Sequence, residues 1–137
     1  MKKSARDLEK VDFEQLSEFR YQMRRFERFS EQAAQAEGIT PLQYLLLLHV
    51  KGYPGRDYAT VGELADRLQA KPNGVVALVS RCEENRLVER RQSAVDRRQV
   101  QIHLLPAGER VLAHLAALHR TELQSLGGVF AVPHINR

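Results

Sequence analysis

The chain has 137 residues, of which 43% are hydrophobic and 28% are charged, and this composition suits one soluble domain with its own core. Its single cysteine, Cys82, excludes a framework of disulfides within the chain. No apolar run approaches the roughly 20 residues that a membrane-spanning helix needs. Arg6, Asp7 and Glu9 stand where a secretory signal would be apolar. These features predict a cytoplasmic protein with a single domain over residues 1 to 137.

The net charge is +4, and the excess is concentrated between residues 71 and 98. That stretch holds seven basic and four acidic residues, so it accounts for three of the four excess charges. A localised basic surface is typical of proteins that bind a polyanion, although a solvated helix face has the same composition.

Residues 12 to 37 contain no glycine or proline and predict one long helix. Leu16, Phe19, Met23 and Phe26 follow three-four spacing, which places an apolar stripe on one face. At a rise of ~1.5 Å per residue the helix is roughly 39 Å long, more than a small core needs. The stripe favours a helix that joins two subunits, with an overhanging core helix as the alternative.

Capping residues then mark where the first helix ends and where the next two helices begin. Gly38 is placed to end the first helix. Thr40 with Gln43, and Thr60 with Glu63, form two capping boxes that predict the starts of the next two helices.

The segment over residues 52 to 59 is rich in glycine and turn residues and predicts a loop. A turn at residues 69 to 72 leads to a further helix over about 72 to 85. Four apolar residues form its predicted core side: Val75, Leu78, Val79 and Cys82.

Beyond this helix the period changes to that of strands. Residues 87 to 90 and 100 to 104 alternate as a hairpin, with a polar tip over 91 to 99. Pro106 opens a last helix over residues 106 to 126, before a glycine pair.

This order predicts a mainly α-helical fold with a small two-stranded β wing, a winged helix-turn-helix. Residues 40 to 104 would form a lobe that binds double-stranded DNA. The helices over 12 to 37 and 106 to 126 would join two copies into a homodimer.

The helix after the turn carries candidate DNA contacts, because such a helix enters the major groove with its N-terminal end first. Asparagine can bond adenine and arginine can bond guanine with two hydrogen bonds, while small residues allow close approach to phosphates. An ordinary solvated helix face is the alternative. The predicted contacts are Lys71, Asn73, Gly74, Ala77, Ser80 and Arg81.

The hairpin tip carries Arg97 and Arg98 beside Asp96. One carboxylate cannot neutralise both arginines, so Asp96 is predicted to brace one of them and the other is free to reach outward. An arginine on a thin β tip suits a narrow minor groove, where the negative potential is focused.

These motifs resemble the MarR family of bacterial transcriptional regulators over residues 12 to about 126. The matching segments are TVGELA at 60 to 65, LVSR at 78 to 81, LV at 87 and 88, DRR at 96 to 98, the branched strand after it, Gly108, and FRYQ at 19 to 22. The resemblance implies dimers joined by the first and last helices, pseudo-palindromic operators, frequent repressor activity, and in many members a small aromatic acid as effector.

Two positions depart from the family pattern. Arg86 stands where a glycine usually ends the helix, so either Arg86 or Asn85 is expected to adopt a left-handed conformation. Leu105 replaces a threonine cap at the start of the last helix.

Aromatic and basic side chains near the junction of the first two helices suggest a site for a phenolic or carboxylate effector. The alternative is that these arginines pair with Glu27 and Glu31 on the surface. The predicted ligand residues are Tyr21, Arg24, Arg28, Tyr44 and His49.

Other classes of function have little support in the sequence. Cys82 is predicted to be a buried structural thiol and not a redox sensor. The five histidines lack ligand spacing, and there is no catalytic triad, carboxylate pair or phosphate-binding loop, so neither a metal, a cofactor nor an enzyme is expected. The rival from another class is a winged helix that binds proteins.

Overall fold

The computed structural model describes residues 7 to 127 and 132 to 135. Within these ranges the chain is mainly helical, with one small sheet. The elements in chain order are α1 (Lys10–Ala36), α2 (Pro41–Lys51), β1 (Tyr58–Thr60), α3 (Val61–Leu68), α4 (Pro72–Glu84), β2 (Val88–Gln92), β3 (Val100–Leu104) and α5 (Pro106–Ser125). The predicted fold class is confirmed. The second glycine of the pair after α5, Gly128, lies outside the described residues.

Both predicted capping boxes are present. The Thr40 hydroxyl accepts a hydrogen bond from the Gln43 backbone N–H at 3.1 Å, and the Gln43 side chain accepts one from the Thr40 N–H at 2.9 Å. Thr60 and Glu63 make the same two bonds at 3.3 and 2.9 Å. Because each box satisfies two otherwise free N–H groups, α2 and α3 begin where predicted.

Two non-glycine residues in the left-handed region follow α3 and α4. Gln69 has φ 52° and Arg86 has φ 59°, whereas Asn85 has φ −84°. The Leu87 N–H then donates to the Cys82 carbonyl at 2.9 Å, the bond of a Schellman turn. The left-handed position is therefore occupied by Arg86, and the chain turns abruptly from α4 into β2.

The sheet has three antiparallel strands in the order β1-β3-β2. The predicted hairpin is confirmed as β2 and β3, and β1 adds a third strand that the sequence did not predict. Tyr58 pairs with His103, within a segment predicted to be loop over residues 52 to 59. β1 is only three residues long, too short for its sequence to show the alternation of a strand. It becomes a strand because β3 supplies its hydrogen-bonding partner.

Arg56 anchors this loop to the start of α3. Its guanidinium lies 4.3 Å from the Tyr53 ring centroid and 4.6 Å from that of Tyr58, and it forms an ion pair with Glu63. Burial raises the pKa of Glu63, but hydrogen bonds from Thr60 and Tyr53 and the charge of Arg56 outweigh burial and lower it below its usual value. The capping carboxylate is thereby held ionised.

The core lies between the helices and the inner face of the sheet. Leu46, Leu64, Ile102 and Leu115 are fully buried there. Cys82 is buried among them, and burial raises the pKa of its thiol to about 11. This environment confirms the prediction of a structural cysteine, because the reactive thiolate form is disfavoured.

Helix α5 starts without a side-chain cap at Leu105, as its sequence suggested. Its support comes from the backbone: the Leu105 N–H donates to the Leu87 carbonyl at 2.9 Å. None of the described helices has the length and apolar composition needed to cross a bilayer.

Candidate nucleic-acid interface

Helix α4 turns one side to the core and the other to solvent. Its predicted apolar side is buried, which confirms the orientation inferred from the spacing of Val75, Leu78, Val79 and Cys82. Ser80 is half-buried, and five of the predicted DNA contacts are exposed: Lys71, Asn73, Gly74, Ala77 and Arg81. A Cβ built on Gly74 would meet no atom within 4 Å, so packing does not require glycine there.

Arg90, on β2, joins the wing to α4. Its guanidinium donates to the Val76 carbonyl at 3.2 Å and to the Ser80 hydroxyl at 3.1 Å, and it forms an ion pair with Glu83. The Arg90 backbone N–H also donates to the Glu83 carboxylate, at 3.3 Å. These three partners lie along one side of α4, so Arg90 fixes the strand against the helix.

Arg90 was not singled out from the sequence, where it was one of seven basic residues between 71 and 98. Its role depends on partners that lie on another element, helix α4, and the sequence around Arg90 does not reveal them. The Ser80 hydroxyl donates to the Val76 carbonyl at 3.1 Å and accepts from Arg90, so its one proton is already used. Ser80 stays a predicted DNA contact that would have to exchange these bonds.

The tip between β2 and β3 is closed by hydrogen bonds centred on Ser93. The Ser93 hydroxyl accepts from the backbone N–H groups of Val95 and Asp96, both at 3.2 Å. The Ser93 N–H donates to the Gln99 carbonyl, and the Gln99 N–H donates to the Asp96 carbonyl, each at 3.0 Å. The tip therefore presents its arginines from an ordered turn.

Asp96 pairs with Arg98 and not with Arg97. One carboxylate oxygen accepts from the Arg98 backbone N–H at 3.0 Å and from its Nε at 3.2 Å. Because this pairing uses Nε, both terminal nitrogens of Arg98 stay without a bond among the described residues, and its side chain is 92% exposed. The Arg97 side chain is exposed, with no ion pair in the same part of the chain.

The five predicted ligand residues are not brought together. Tyr21, Arg24 and Arg28 line a groove of about 380 Å³ beside α1. Arg28 lies 4.0 Å from Glu31, the pairing considered as the alternative. His49 lines neither this groove nor that of Tyr44, and burial and the charge of Arg67 lower its pKa below the usual value.

Tyr44 lines a second groove, of about 480 Å³, between α2 and α5. Its ring stacks on His119 with centroids 4.7 Å apart, and burial raises the pKa of the Tyr44 phenol. His119 Nε2 is 2.9 Å from the Ser30 hydroxyl and Nδ1 is 2.7 Å from the Leu115 carbonyl. Sequence reasoning missed His119 because only tertiary packing joins it to α1 and α2.

In the described ranges, no group of three histidine, cysteine, aspartate or glutamate side chains lies in an arrangement that could hold a metal ion.

Comparison with known proteins connects this architecture to a family. The model of the MarR family matches residues 37–99. The uncharacterized HTH-type transcriptional regulator YsmB of Bacillus subtilis (strain 168) is 36% identical over 67 residues, which are 49% of this chain and 46% of that protein. The chain spans about half the length of the curated relatives it matches.

Solved structures share the fold over more of the chain. A MarR family protein from Bacillus stearothermophilus has a TM-score of 0.72 at 26% identity, covering 88% of this chain and 81% of that one. A mutant of S. aureus MepR bound to an oligodeoxyribonucleotide has a TM-score of 0.67 at 23% identity, covering 79% of this chain and 78% of that one. The arrangement of helices and wing is therefore shared with these proteins.

Proposed function

We propose that this chain, whose residues 37–99 match the model of the MarR family, is a transcriptional regulator of that family that binds double-stranded DNA. Each copy places the N-terminal end of α4 in the major groove and the tip between β2 and β3 in the adjacent minor groove. As a homodimer it recognises a pseudo-palindromic operator and acts there as a repressor. On this proposal the protein is not an enzyme, and it acts in the cytoplasm.

One observation carries the proposal: the exposed helix face that presents Asn73 and the ordered tip that presents two arginines belong to elements that are bonded to each other. Arg90 ties the two together. Arginine at a thin tip suits the focused potential of a minor groove, and an amide on the helix suits a base edge. The oligodeoxyribonucleotide bound to the MepR mutant supports the same use of the fold.

The test is selection of duplexes from a random library by the purified protein. A regulator enriches a pseudo-palindrome, and its affinity for the selected duplex falls steeply with salt because phosphate contacts release counterions. A winged helix that serves protein contacts enriches no sequence, so duplexes recovered from the library bind no better than scrambled ones. Fluorescence anisotropy at several salt concentrations separates the two.

Dimerisation is proposed from apolar side chains that the single chain leaves in solvent. On α1, Val11 is 48%, Phe13 53% and Leu16 38% exposed, and on α5 Leu118 is 38% and Leu123 48% exposed. Isolated exposed apolar residues are ordinary, but several on two packed helices indicate a surface that another molecule covers. A second copy of this chain, through the helices over 12 to 37 and 106 to 126, is the proposed occupant.

We expect a dimer at micromolar concentration and no stable folded monomer of 15.7 kDa in sedimentation velocity. Replacing Leu16 with glutamate should dissociate or unfold the protein, because a charge would be buried in the interface. The control is Val95→Glu, at a position 97% exposed on the wing tip, which should sediment as wild type. A stable folded monomer of the wild-type chain would refute the proposed dimer.

Replacing Arg90 with glutamine should reduce the ratio of selected-duplex to scrambled-duplex affinity by roughly tenfold, or about 1.4 kcal/mol. The reason is that the bonds holding the wing strand to α4 are lost. Arg91→Gln removes the same charge from an exposed neighbour on β2 and should leave the ratio unchanged. Equal ratios in the two variants would mean that Arg90 contributes charge alone.

An effector is proposed for the groove beside Tyr44 and His119. This groove is formed by α2 of the helix-turn-helix lobe and by α5, so an occupant touches both parts. A ligand that fits one arrangement of these helices better than another shifts the geometry of the lobe and releases DNA. The apolar lining suits an aromatic ring, and Arg120 supplies a charge for a carboxylate.

Salicylate or benzoate should therefore raise the thermal midpoint by mass action. Arg120→Gln should abolish the shift, whereas Arg24→Gln with Arg28→Gln, in the groove beside α1, should retain it. Loss of the shift only in the second variant would move the effector to that groove. No shift of the wild-type midpoint with any of a panel of aromatic acids would refute the effector.

A further inference from the structure

The exposed side of α4 near its N-terminal end is uncharged. After Lys71, the first charged side chain along the helix is Arg81. Between them, Val76 is 45% exposed, although valine is among the residues most often buried. The exposed residues of this part of the helix are Pro72, Asn73, Gly74, Val76 and Ala77.

Few polar groups on this surface are available for hydrogen bonds to bases. The Ser80 hydroxyl already donates to the Val76 carbonyl and accepts from Arg90. The Asn73 carboxamide has no hydrogen bond to any described residue. Asn73 is thus the polar side chain of the first two turns that is available to bond a base. The rest of the exposed surface of these turns is apolar.

The position of Val76 is fixed by the wing. Its carbonyl accepts from the Ser80 hydroxyl at 3.1 Å and from the Arg90 guanidinium at 3.2 Å. A β-branched side chain in a helix also has one strongly preferred rotamer. Its two methyl groups are therefore presented to solvent in a defined direction, at the edge of the face that carries Asn73.

We propose that Val76, with Ala77 beside it, contacts thymine 5-methyl groups in the major groove. This rests on the proposed function and deepens it, because it assigns part of the sequence specificity to apolar contact. Among the four DNA bases only thymine presents a methyl group there, and an apolar side chain distinguishes it. Each half-site then carries a thymine near the base pair that Asn73 reads.

The test uses the duplex selected by the wild-type protein, with each thymine of one half-site replaced singly by deoxyuridine. This change removes one methyl group and keeps every hydrogen-bonding group. At one thymine or more we expect binding to weaken about fourfold, which corresponds to about 0.8 kcal/mol for one buried methyl group. In Val76→Ala the penalty at that position should fall below about twofold.

Val132→Ala is the matched control, since it truncates another exposed valine, outside the helix-turn-helix lobe and the wing, and should retain the fourfold penalty. Thermal melting checks that both variants are folded. The inference is overturned if no thymine gives a penalty, if the half-site contains none, or if Val76→Ala keeps the full penalty. Failure of the proposed function is distinguishable, because no sequence would then be enriched at all.

Discussion

Replacing Gly108 with alanine should destabilise the protein by about 3 kcal/mol, at the upper end of the usual cost of overpacking. A Cβ at this position of α5 would lie 2.1 Å from the Leu87 carbonyl oxygen. That carbonyl also accepts the Leu105 N–H at 2.9 Å, so moving it away breaks the bond that supports the start of α5. The strand β2 and helix α5 would both have to shift.

Gly62 provides the matched control, because a Cβ there would meet no atom within 4 Å. Gly62→Ala in α3 should stabilise the protein by roughly 0.5 kcal/mol through the unfolded chain and helix propensity. Urea unfolding at one fixed protein concentration measures both variants, since a dimer's stability depends on concentration. Equal midpoints for Gly108→Ala and wild type would show that the contact between α5 and Leu87 is not tight.

Replacing Arg98 with alanine should weaken binding to every DNA sequence by a similar factor, roughly tenfold or about 1.4 kcal/mol. The two terminal nitrogens of Arg98 are free to reach phosphates and the minor groove while Nε is held by Asp96. Loss of this contact should lower the salt slope by roughly one for each wing. Asn73→Ala should instead cost roughly 1–3 kcal/mol on the selected duplex and little on a scrambled one.

Asp96→Ala separates positioning from charge. Removing an acidic group near a polyanion strengthens binding if charge alone matters. If Asp96 holds Arg98 in place, the same variant weakens binding and Arg98→Ala adds little to it, as expected for coupled residues. Unchanged affinity and salt slope in Arg98→Ala would mean that the tip does not touch DNA.

Local signals in the sequence determined the helices and the orientation of α4. A capping box depends on residues three apart, so Thr40 and Thr60 mark helix starts whatever the rest of the chain does. The spacing of apolar residues in α4 likewise places its core side, because that spacing follows from the helix itself. The pairing of Asp96 with one of the two arginines was predictable for the same reason, because all three residues are adjacent in the sequence.

The tertiary structure alone decided which groups meet. β1 is a strand because β3, distant along the chain, lies beside it, and no local pattern over three residues records such a partner. Asp96 pairs with Arg98 because the turn closed by Ser93 brings these two side chains together. The sequence alone does not show which of two adjacent arginines the carboxylate will bind. Tyr44 stacks on His119 and does not line the groove of Tyr21, because the spacing within α1 and within α2 does not determine how these helices pack on each other and on α5.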